Sequence, residues 1–73
     1  MYAEKIEKLE NEIQEIKKYI KADKKEIKKR EKILSMVVDN EIEVEIEIYK
    51  DEIEKFTDEL KIRKQLVKNY KKL

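Results

Sequence analysis

Side chains that could carry chemistry are few. Ser35 and Thr57 are the only aliphatic hydroxyls, and the chain has neither His to act as a base nor Cys to act as a thiolate. Ser35 stands among turn-type residues, where capping a helix end is its expected role. Carboxylates are plentiful, but a di-metal helical bundle draws on Glu-x-x-His pairs, which a chain without His cannot supply. A phosphate-cradling loop needs glycine, and there is none. The expectation is a protein that is not an enzyme and takes no cofactor or metal.

Two charge runs remain as candidate sites. Residues 17–32 hold nine Lys and Arg in sixteen positions. Lys17, Lys21, Lys24, Lys25, Lys28, Lys29 and Lys32 are the candidate phosphate contacts of a helical face that binds RNA or DNA. The plainer expectation is a solvated face that also attracts the acidic run between Asp39 and Glu59. That acidic run could itself imitate nucleic acid and occupy a basic cleft on another protein.

The elements that would position these residues follow from spacing. With no Gly and no Pro anywhere, nothing in the chain breaks a helix by default. Ile6, Ile13, Ile20, Ile27 and Leu34 recur every seven residues, and Tyr2, Leu9, Ile16, Asp23, Arg30 and Val37 fill the second seam position. A second frame runs through Ile42, Ile46, Tyr49, Ile53, Phe56, Leu60, Arg63, Val67 and Tyr70. The two are out of phase, and Ser35, Asp39 and Asn40 lie at the break. Asn40 with Glu43 reads as a capping-box helix start. The prediction is one domain over 1–73: helix 1 over about 3–36, a turn over about 37–40 and helix 2 over about 41–72.

Polar seam residues favour an antiparallel hairpin. Pairing positions whose numbers add to 76 sets Asp23 against Ile53, Arg30 against Ile46 and Arg63 against Ile13. A parallel dimer would set Asp23 on Asp23 and Arg30 on Arg30 in a partly dry seam. At the flanking positions the parallel arrangement is the better one, pairing Lys5 with Glu10 and Glu12 with Lys17. The hairpin offers Glu10 with Lys64 but sets Lys24 near Lys50 and Glu26 near Glu52. Exposed pairs of this sort contribute only about 0.2–1 kcal/mol, so the seam decides.

Residues 41–48, EIEVEIEI, argue the other way, because strict alternation with β-branched residues is a strand pattern. The alternative fold therefore joins the helices by a small β-hairpin at residues 33–49. That organisation resembles the topology of prefoldin subunits, with no diagnostic motif shared. Against it, Ile42 and Ile46 are in phase with the seam that continues to Tyr70.

Apolar residues are left over. Val44, Ile48, Ile62, Leu66 and Leu73 lie off the second seam, and Ile33, Met36 and Val38 lie near the turn. A chain this short seldom gains more than about 3–5 kcal/mol from one core, and disulfides and His-based metal sites are absent, so oligomerisation is the support that remains. The expected fold is all-α: an antiparallel two-helix coiled-coil hairpin that dimerises into a four-helix bundle, with Val44, Ile48, Ile62, Leu66 and Leu73 as the interface. The expected function is a self-associating assembly or protein-binding module whose partner is itself or a helix of another protein. The alternatives are a small nucleic-acid-binding regulator and an acidic inhibitor. No apolar run approaches the ~20 residues that span a bilayer, and Met1-Tyr2-Ala3-Glu4-Lys5 lacks a signal-peptide core, so a cytoplasmic location without membrane contact is expected.

Overall fold

The structure, a computed structural model, describes residues 2–73. It consists of two helices, α1 (Ala3–Leu34) and α2 (Asn40–Lys72), packed side by side along their length. The hairpin measures 56 × 14 × 13 Å. That length fits helices of 32 and 33 residues rising ~1.5 Å per residue.

Residues 35–39 make the reversal without glycine. No described residue adopts positive φ. The α1 carbonyls are satisfied instead by a tightened last turn: Ser35 N–H donates to Glu31 O, and the Met36 and Val37 N–H groups both donate to Ile33 O. The Ser35 hydroxyl adds a bond to Lys32 O at 2.6 Å. α2 begins one residue earlier than the capping-box reading places it. Asp39, extended at φ −144° and ψ 111°, is the cap, and its Oδ1 accepts from the Glu41 and Ile42 amides. Asn40 is already helical. Glu41 and Glu43 then place negative charge in the first turn, where the helix dipole favours it.

The β-tipped alternative is overturned. Residues 41–48 are all helical, and the described residues contain no strand. A strand here would align four glutamates on one face with no partner, whereas the helix turns Ile42 and Ile46 onto α1 and keeps Glu43 and Glu47 in water.

Burial follows the two heptad frames. Every frame position from Ile6 to Leu34 and from Ile42 to Tyr70 is at least half-buried, and Ile13, Ile16, Ile46 and Val67 are the buried apolar core. Tyr2 and Val37, the outermost members of the first frame, are exposed. The core is thin, because a two-helix layer leaves no described side chain wholly enclosed. Among the described residues no helix is long and apolar enough to cross a membrane.

Candidate functional site

Cross-helix contacts define two unlike flanks. Glu12 accepts from Arg63 Nε at 3.0 Å, Arg30 Nε donates to Glu45 at 2.8 Å, and Tyr19 stacks on Phe56 with ring centres 5.5 Å apart. In each pair the residue numbers add to 75, one short of the seam sum of 76, so each contact joins a seam residue to the position beside the opposing seam. Glu12, Tyr19, Glu26 and Ile33 are spaced by seven along α1, and Glu45, Glu52, Glu59 and Leu66 by seven along α2. These contacts place both rows on the same side of the hairpin. Ile48 and Ile62 stand three residues beyond Glu45 and Glu59, on the neighbouring strip of α2.

This first flank is acidic and apolar. Tyr19, Ile33, Ile48 and Ile62 are all 44–60 % exposed on it, and Leu66 is 39 % exposed. Glu12, Glu26, Glu45 and Glu59 are partly covered because they serve the seam cations. Glu26 accepts from Arg30 Nη1 at 2.6 Å, and Arg63 reaches both Glu12 and Glu59. The Arg30 bond, followed by the nearby Lys29 charge, holds the Glu26 carboxyl below its usual range. Arg30 also covers the Tyr49 ring, with its guanidinium carbon 4.7 Å from the ring centre. Glu52 differs from the others. Partial burial, followed by the charge of Asp23, pushes its carboxyl above the usual range.

The opposite flank is basic and carries no large apolar side chain. The Glu10–Lys71 ion pair at 3.4 Å fixes its rows: Lys17 and Lys24 continue from Glu10, and Lys64, Thr57 and Lys50 continue back from Lys71. Lys21 and Lys28 lie on the adjoining strip of α1. Lys21, Lys24, Lys25 and Lys28, with Glu31, rim a shallow groove floored by Ile27.

The structure distributes the sequence-predicted sites as follows. Among the described residues Lys17, Lys21, Lys24, Lys25, Lys28 and Lys32 make no ion pair, and Lys29 makes one with Glu26 at 3.5 Å. The attraction between the basic run of α1 and the acidic run of α2 thus acts across solvent, with Arg30–Glu45 as its only ion pair among the described residues. Val44, Ile48, Ile62, Leu66 and Leu73 are all exposed, but they do not form one strip. Val44 is on the back of α2, one turn from Ile48, whereas Leu73, the C-cap of α2, stands seven residues beyond Leu66. Glu10 pairs with Lys71 and not with the expected Lys64. Thr57 donates to Ile53 O at 2.7 Å, an internal helix bond.

Sequence reading missed Tyr19 as a member of the apolar flank. The signal was present, because Tyr19 precedes Ile33 by two heptads and so shares its strip. It also missed Glu52 as the neighbour of Asp23, having set Ile53 there. Among the described residues no group of three or more acidic side chains is disposed to hold a metal ion. No protein family, curated protein or solved structure matches this chain.

Proposed function

We propose that this chain is a non-catalytic coiled-coil hairpin that self-associates through its acidic and apolar flank, and works as an assembly or protein-binding module. The observation that supports it most directly is the gathering of Tyr19, Ile33, Ile48, Ile62 and Leu66 on one flank while the other has no large apolar side chain. The exposed surface of 6101 Å² argues the same way. A compact monomer of this mass would expose roughly 4,900 Å², so the hairpin has an excess on the order of what a standard interface buries. Charge along the flank favours a second copy running in the opposite direction. Lys5 and Lys8 lie at the open end and Glu41 and Glu45 at the tip, so the basic end of each copy covers the acidic tip of the other. Four helices then enclose a core that two cannot.

Replacing Ile62 and Leu66 together by Glu tests the reading by sedimentation. The expected result is a helical monomer where the unaltered chain sediments as a dimer. An unchanged mass for the double variant places the interface elsewhere.

A second reading, a nucleic-acid-binding regulator, draws on the other flank. Lys17, Lys21, Lys24 and Lys28 of α1 share it with Lys50 and Lys64 of α2, and among the described residues only Lys50 of these has an acidic neighbour within ion-pair distance, Glu47 at 3.8 Å. A gel-shift titration with random RNA and DNA separates the readings, since no binding at about 50 mM salt removes the phosphate contacts. The acidic inhibitor has less support, because Glu45, Glu59 and Glu47 are engaged by Arg30, Arg63 and Lys50.

A further inference from the structure

Asp23 is the buried polar member of the seam, 8 % exposed, and its Oδ2 is shut off from water with no donor in reach. The register that joins Arg30 to Glu45, Glu12 to Arg63 and Tyr19 to Phe56, residue numbers adding to 75, sets a second carboxyl of α2 beside it, the half-buried Glu52. Two ionised carboxylates are acceptors only, so they cannot bond to one another. Once either takes up a proton, the neutral group donates to the ionised one, and both the orphaned acceptor and the repulsion are relieved.

The charged and titratable groups around the pair are engaged elsewhere or act on Glu52 alone. On α2, Lys55 is the cation that acts on Glu52, and Tyr49, one turn away, lies under Arg30. On α1, Tyr19 and Glu26 are one turn to either side of Asp23. Tyr19 is stacked on Phe56, and Glu26 is occupied by Arg30 and Lys29. Lys24 projects from the basic flank. Among the described residues no ion pair includes Asp23.

We infer that Asp23 and Glu52 form a proton-binding site spanning the two helices, in which one shared proton tightens the middle of the hairpin as the solution becomes acidic. The direction of the Glu52 shift agrees. Burial and the Asp23 charge raise its proton affinity above the ordinary value of 4.5, and Lys55 opposes them. The associated stabilisation is therefore complete below that ordinary value and is lost as pH rises through the folded value.

Thermal unfolding of the full chain, of Asp23→Asn and of Glu52→Gln, at one chain concentration between about pH 4 and about pH 7, tests the site. Asp23→Asn supplies a permanent N–H donor toward Glu52, and Glu52→Gln removes the second charge. Both variants are expected to melt above the unaltered chain near neutrality, with an advantage that shrinks or reverses toward pH 4. An advantage constant across the range in both variants overturns the site, because a purely structural role for Asp23 carries no pH dependence. Carbon-13 titration of the side-chain carboxyls gives a second readout. Glu52 should move back toward its ordinary value in Asp23→Asn, and a Glu52 titration indifferent to that change also overturns the inference.

Discussion

Arg30 Nε donates to Glu45 Oε2 at 2.8 Å, and this bond ties the last turns of α1 to the first turns of α2. The same guanidinium donates through Nη1 to Glu26 and covers Tyr49, so one seam residue serves two carboxylates and an aromatic face. A polar residue in a seam is costly when its charge is left alone. Arg30 avoids that cost because its planar fork presents separate donors in different directions.

Arg30→Lys is accordingly expected to lower the melting temperature although the charge is retained. An ammonium is a point charge and cannot hold Glu26, Glu45 and the Tyr49 face in fixed directions. Circular dichroism melts compare the two, and equal melting temperatures would show that charge alone suffices.

Asp39→Ala should destabilise the hairpin by about 1 kcal/mol, the usual cost of losing a helix cap, because the Glu41 and Ile42 amides lose their acceptor. Asn40→Ala should change stability by only a few tenths of that figure. Urea unfolding of both variants distinguishes the capping residue from its neighbour.

Ile46→Ala removes one of the four buried apolar side chains and should cost about 2–5 kcal/mol, near the whole stability of a chain this size. Val44→Ala, two residues away, alters a side chain 58 % exposed on the back of α2 and should shift the urea midpoint little. If the two changes cost the same, the burial pattern along α2 is wrong.

Glu26→Gln should act with a pH sense opposite to that of the Asp23–Glu52 pair. The Arg30 bond keeps the Glu26 carboxyl below its ordinary 4.5, so its contribution is present above that value and is lost as pH falls through the lower folded value. The variant should therefore be less stable than the unaltered chain at neutral pH and approach it in strong acid, as read by unfolding at each pH.

The two heptad frames were legible because a long helix repeats its buried face every seven residues, and Ile6 through Leu34 and Ile42 through Tyr70 are the residues the fold covers. Asp23, Arg30 and Arg63, the polar interruptions, pointed to an antiparallel partner, and the cross-helix contacts run in that sense. What spacing could not specify was the reach of individual side chains. Asp39 and Asn40 are both good caps, and only the extended backbone at Asp39 selects it. Glu10 had two lysines one heptad apart to choose between, and long exposed side chains make that choice on small energies. The Asp23–Glu52 neighbourhood was hidden for a related reason: the seam register identifies Ile53 as the opposite residue, but the carboxyl that comes near hangs from the position beside it.

The ladder of cross-helix bonds also orders the events of folding. Arg30 and Glu45 are separated by 15 residues, Glu12 and Arg63 by 51. Closing the longer loop from an open chain costs about 1 kcal/mol more in chain entropy than closing the shorter one, as loop cost grows with the logarithm of length. Once the Arg30–Glu45 end is joined, each later contact closes only a short additional segment. The hairpin should therefore zip from its tip toward its termini, and the Tyr2–Tyr70 ring contact, 5.3 Å between centres, should be the last to form and the first to fray.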